Sequence, residues 1–163
     1  MSRLRAHGVE ANLPAGFEGR IYRRTPAPGE TAYTVCQFAT FALQSGAGDF
    51  GNGFVGSMTP DDVFVVLFEY GPESVGRRLF AAQRMPRPLT AGAFVPSVLR
   101  RALPGQSGTQ WFFTESGRPF SFYAVLGSQA LGAQLVPLVN QLLSSLTLSP
   151  ATPATPVPAA LWN

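Results

Sequence analysis

Hydrophobic and polar positions follow the clearest pattern between Val63 and Tyr70. Val63, Val65 and Leu67 share one parity; Phe64, Val66, Phe68 and Tyr70 share the other. A strand that is apolar on both faces belongs in the middle of a covered sheet. Tyr33 to Leu43 is a second long strand candidate, rich in aromatic and β-branched residues. From Phe17 to Arg24 the alternation is partial, with Phe17 and Ile21 opposed to Glu18, Arg20 and Arg24, as in an edge or half-exposed strand. Thr109–Thr114 and Phe120–Leu126, around a turn at Ser116-Gly117, predict a β-hairpin. Its aromatic residues Trp111, Phe112 and Phe113 face Phe120, Phe122 and Tyr123, and their bulk on both faces requires one side to meet helices or a partner. Leu131, Leu135, Val139, Leu142 and Leu146 recur at three- and four-residue spacing, the stripe of a core-packing C-terminal helix. Pro137 either falls in the first turn of a helix beginning near 134 or bends it.

The remaining segments read less sharply. Asp49 is placed to cap a short helix ending near Met58, weakened by its glycines. Thr59-Pro60-Asp61-Asp62 reads as a turn, and Pro96–Leu103 as a short helix opened by proline and closed by Pro104-Gly105. Gly71–Gly92 admits only a helical turn near Arg77–Gln83. These elements divide the chain into an irregular N-terminal segment (1–16), one domain (17–148) and a Pro-rich C-terminal tail (149–163). The expected fold class is α+β, a mostly antiparallel sheet flanked by helices in an α/β/α sandwich.

At 163 residues and 45% hydrophobic, the chain can bury a core without a disulfide or metal. Charged residues make up only 13%, against a usual fraction of about 25%, which favours a large core, an apolar interaction face, or both. Every basic side chain other than His7 is arginine, so Schiff-base lysine and P-loop chemistry are excluded. The single histidine, His7, and single cysteine, Cys36, cannot make an internal disulfide or a Cys/His zinc set. His7 is a poor general base in an unstructured segment, and Cys36 reads as core inside a strand. Neither an apolar leader in Met1–Gly16 nor a membrane-spanning run of about 20 residues is expected, which points to a cytoplasmic protein.

Gly51-Asn52-Gly53-Phe54-Val55-Gly56 has the spacing of a dinucleotide loop, but Gln44–Phe50 separates it from the preceding strand and little helix can follow. It reads as a glycine-rich turn, and no cofactor is expected. Asp61-Asp62 reads as a solvated turn or cap rather than a cation site. No catalytic or metal-ligating residue is assigned. Charge, by contrast, is segregated. Residues 25–73 hold six acids and no arginine, while 74–114 hold Arg77, Arg78, Arg84, Arg87, Arg100 and Arg101 with no carboxylate. Arginine forks bind carboxylate and phosphate bidentately. The six arginines are therefore the candidate partner-binding set, unless they pair with the acidic segment. Nucleic acid is disfavoured, since no nucleic-acid motif accompanies the charge. In the tail, Pro150, Pro153 and Pro156 at three-residue spacing favour extended polyproline II, ending in a candidate anchor at Leu161 and Trp162.

An aromatic hairpin from Gly108 to Leu126, then a helix, then Leu146-Thr147-Leu148, resembles in element order the PsbP-like fold, over about 17–148. Phe68-Glu69-Tyr70-Gly71-Pro72-Glu73-Ser74 and Leu103-Pro104-Gly105-Gln106 are similar to stretches of uncharacterised bacterial proteins. The resemblance implies an antiparallel sheet flanked by helices and a binding or assembly role in a larger complex, not an enzyme. The expected function is thus a non-catalytic protein-binding or accessory module, with self-association possible. The alternative is a small enzyme or small-ligand or anion-binding domain using Arg and carboxylate side chains, marked by a deep pocket joining Arg100 or Arg101 to a buried acid such as Glu69.

Overall fold

A computed structural model describes residues 2–24, 28, 33–45, 48–51, 55–99 and 103–151. Eight strands form two antiparallel sheets: β1 (Ser2–Ala6), β2 (Val9–Leu13) and β8 (Thr147–Leu148) in the order β1-β2-β8, and β3 (Glu18–Arg23), β4 (Thr34–Ala39), β5 (Val63–Glu69), β6 (Ser107–Glu115) and β7 (Arg118–Leu126) in the order β3-β4-β5-β7-β6. Among the described residues one α-helix, α1 (Gly132–Ser145), joins β7 to β8. The fold is α+β and its sheets are antiparallel throughout, as the strand pattern predicts.

The five-stranded sheet is apolar on both faces. Val63, Val65 and Leu67 of β5 join Cys36, Phe38, Phe120 and Phe122 in a core closed by α1 and the small sheet. Phe64, Val66 and Phe68 join Val35, Tyr123 and Val125 on the opposite face, covered by loops carrying Phe41, Phe50, Tyr70 and Leu99. Fully burying such a side chain contributes about 1.5–3 kcal/mol, so both coverings are needed. Gly19 in β3 is where the sheets meet: a Cβ there would lie 2.8 Å from Phe38 Cδ1 and 2.9 Å from Leu4 Cδ1.

Residues 1–16 are not irregular. β1 and β2 form a hairpin turned at His7-Gly8, with Leu4 opposite Ala11. The determinant is the period-two run Val9, Ala11, Leu13, all buried, with Glu10 and Asn12 pointing away. Tyr33–Leu43 shortens to β4, whose six residues are all buried. Among the described residues Asp49 caps no helix: its carboxylate accepts from Tyr22 Oη at 2.5 Å and pairs with Arg24 Nε at 3.0 Å. Only a 3₁₀ turn at Val55–Ser57 follows, and Asn52, Gly53 and Phe54 lie outside the described residues. Pro96–Val98 is likewise a single 3₁₀ turn. α1 begins at Gly132, with Pro137 in its second turn rather than its first. Pro137 is exposed, so the carbonyl it leaves without a helical donor faces solvent. Asp62 does cap its turn, accepting from Thr59 N at 2.9 Å and Thr40 Oγ1 at 2.9 Å.

Candidate functional site

Two charged residues occupy core positions at one end of the five-stranded sheet. Glu69 has the parity of Val63, Val65 and Leu67 in β5; Arg118 has the parity of Phe120 and Phe122 in β7. The pairing of Glu69 with Phe120 sets Arg118 one diagonal step away. Its guanidinium grips the carboxylate with both arms, Nε to Oε2 at 2.7 Å and Nη2 to Oε1 at 3.0 Å. The third nitrogen donates to Ser149 O at 2.9 Å, and the guanidinium carbon lies 5.1 Å from the Phe120 ring centroid. Burial alone would raise the Glu69 carboxyl, but the hydrogen bonds and charge of Arg118 outweigh it and leave it below its ordinary range. An acid and a base so bound to each other are a structural clamp. Arg118 fastens β7 to β5 and to the residue that follows β8.

The nearby titratable groups are no better placed for chemistry. Cys36 is fully buried, and burial pushes its thiol up to about 12, far from a reactive thiolate. His7 sits exposed in the β1–β2 turn; partial burial, then the charges of Arg23 and Arg118, lower its pKa. A shallow cleft of about 460 Å³ opens beside this turn, lined in part by Arg5, His7, Glu10 and Ser149. Among the described residues, no three His, Cys, Asp or Glu side chains gather as a metal site.

The arginine set divides. Arg77, Arg78 and Arg84 are exposed and have no ion-pair partner among the described residues. They lie on one loop with Val75 at 42% and Leu79 at 58% exposure. The loop is fixed from below: Phe80 packs edge-on against Phe112 with centroids 5.7 Å apart, and Thr114 Oγ1 donates to Phe80 O at 2.7 Å. Arg87 does not join them. It donates to Leu143 O at 2.8 Å and Leu146 O at 2.9 Å, satisfying the last carbonyls of α1, and its other arm is 3.9 Å from Glu115. Arg100, Arg101, Leu161 and Trp162 lie outside the described residues. Among the described residues none of the six arginines pairs with an acid of 25–73; the ion pairs of that segment, Arg24–Asp49 and Arg118–Glu69, use arginines outside the set, and the 77–84 loop stays cationic. Sequence reasoning missed Arg118, although its parity with Phe120, Phe122 and Leu126 on a two-faced strand marks it as inward.

Compared with protein-family models, curated proteins and solved structures, the chain gives no significant match. Among the described residues, no helix is long and apolar enough to cross a membrane.

Proposed function

We propose that this chain is a cytoplasmic, non-catalytic protein-binding module that acts as an accessory or assembly factor and docks through its 75–84 loop. The observation that carries this reading is the coincidence of three exposed, unpaired guanidinium groups with exposed Val75 and Leu79 on a loop held rigid by Phe80 and Thr114. A preformed surface mixing arginine with apolar side chains loses little entropy on binding and suits an acidic, partly apolar protein surface. The resemblance to the PsbP-like fold drawn from the sequence supports the same kind of role. Leu161 and Trp162 would add a second contact reached through the Pro-rich tail.

The test is affinity capture from native lysate with quantitative mass spectrometry, comparing the full chain with its Arg77→Glu/Arg78→Glu/Arg84→Glu variant. A stoichiometric partner that is lost at least tenfold by the variant, with an unchanged melting temperature, supports the reading. A partner retained equally by both proteins refutes this loop as the docking face.

A further inference from the structure

β6 is an edge strand whose exposed backbone is closed at both ends and open in the middle. Gly108 exchanges two hydrogen bonds with Val95, at 2.8 and 3.0 Å. At the other end Thr114 N donates to Ala82 O and Arg84 N donates to Thr114 O, each at 2.8 Å. Even-numbered residues of β6 therefore aim their amides away from β7. Gln110 and Phe112 are the even-numbered residues between the two closures. Among the described residues, nothing takes their outward N–H and C=O groups. Between them Trp111 is 41% exposed.

The cationic loop ends at this edge. Arg84, whose own amide closes the Thr114 end, has φ +74°, a conformation that costs an L-residue roughly 1–2 kcal/mol. The fold thus holds an exposed arginine, without an ion-pair partner among the described residues, in a strained conformation at the Thr114 closure, two residues along β6 from Phe112. Glu115, the neighbour of Thr114, accepts from Met85 N at 3.0 Å and pairs with Arg87, and makes no ion pair with Arg84.

Resting on the docking reading above, we propose that the β6 edge takes up a short extended acidic segment of a partner protein by strand addition, pairing at Gln110 and Phe112 with carboxylates directed to Arg84. Strand addition satisfies four orphan backbone groups at once and leaves selectivity to alternate side chains. The closures set the length. Gly108 and Thr114 are about 20 Å apart along the strand at ~3.4 Å per residue, and only the central third is open, so the inserted strand pairs over about three residues. A second copy of this chain does not fit in the same way, because two-fold pairing about Trp111 would drive each copy's Val95 and Ala82–Arg84 segments into the other's β6.

The test uses the full chain carrying Trp162→Phe, so that Trp111 is the sole tryptophan. The probe is the peptide acetyl-Gly-Val-Glu-Val-Glu-Val-Gly-amide, followed by amide NMR and tryptophan emission. Saturable shifts at the Gln110 and Phe112 amides and a change in Trp111 emission are expected. Gln110→Pro removes an outward N–H and no β6–β7 bond; it should weaken the peptide at least tenfold. So should N-methylation of the peptide at alternate residues, which needs no protein variant. Arg84→Glu, or lysine in place of glutamate in the peptide, should each cost a similar factor. Binding that survives both Gln110→Pro and N-methylation overturns strand addition but leaves the docking face standing. Equal affinity for the lysine peptide overturns the acidic assignment. No shift at saturating peptide, or a dimer abolished by Gln110→Pro, overturns the proposal. The docking reading falls separately, only if the triple-glutamate chain keeps its captured partner.

Discussion

Gly8 and Arg118 touch: a Cβ on Gly8 would lie 2.6 Å from Arg118 Nη1. That nitrogen cannot swing aside without releasing Ser149 O, and its guanidinium is held by Glu69 on the other arms. Gly8 also has φ +76°, in the left-handed region. Gly8→Ala should therefore destabilise by more than the roughly 1–2 kcal/mol of backbone strain alone. Gly117 is the control: its φ is +72° and a Cβ there meets nothing within 4 Å. Denaturant melts of the two alanine variants separate the terms. Equal losses would show that the Arg118 contact has no energetic weight.

Removing one member of the Glu69–Arg118 pair strands the other in the core. Arg118→Met should cost about 3–5 kcal/mol, whereas the double change Arg118→Met/Glu69→Leu should recover most of that loss, since an apolar replacement of a buried pair is often neutral. Urea unfolding of the two variants checks this. A double variant as unstable as the single one would mean that the loss comes from packing or from the Ser149 bond.

Acid should weaken the fold in two windows. Glu69 has a folded pKa below its unfolded value, so its stabilisation is complete above about pH 4.3 and is lost as pH falls through the lower folded value. His7 is also lowered, so the unfolded chain takes up its proton first, and stability declines as pH falls below about 6.5. Melting temperatures at several pH values should therefore fall towards acid. His7→Ala should remove the upper part of the slope and leave the lower part.

Cys36 should not react with a thiol reagent such as dithionitrobenzoate in the native protein at pH 8, because its thiol is fully buried and pushed up to about 12. Full reaction in guanidinium confirms the reagent. Prompt native labelling would mean that β4 opens readily.

The arginines should separate by role. Arg87→Ala removes two bonds to the end of α1 and should cost roughly 1.5–3 kcal/mol, the range for charged hydrogen bonds. Arg77→Ala and Arg78→Ala should stay within about 0.5 kcal/mol, as exposed substitutions usually do. Thermal melts distinguish them.

The five-stranded sheet was legible because β5, β6, β7 and α1 each carry a strong period of their own. The N-terminal hairpin was not, because its inward run is only Val9, Ala11 and Leu13, with Ala11 in the middle, and β1 carries a single large apolar residue, Leu4. Arg87 and Arg118 looked alike in the sequence as members of a basic stretch. Only three-dimensional neighbours, the end of α1 for one and Glu69 for the other, give them their roles. Arg77, Arg78 and Arg84 keep the free, exposed character that their composition suggested, since no acid forms an ion pair with them among the described residues.

β8 pairs Leu148 with Val9 and Thr147 with Glu10, joining segments far apart in sequence. As the ribosome makes this protein, β2 packs on earlier elements but must wait for its outer partner until Thr147 and Leu148 have emerged. The small sheet then closes across a very long loop, the slowest kind of contact to form. A stop codon just before Thr147 should leave β2 without its outer partner and Arg118 without the Ser149 carbonyl.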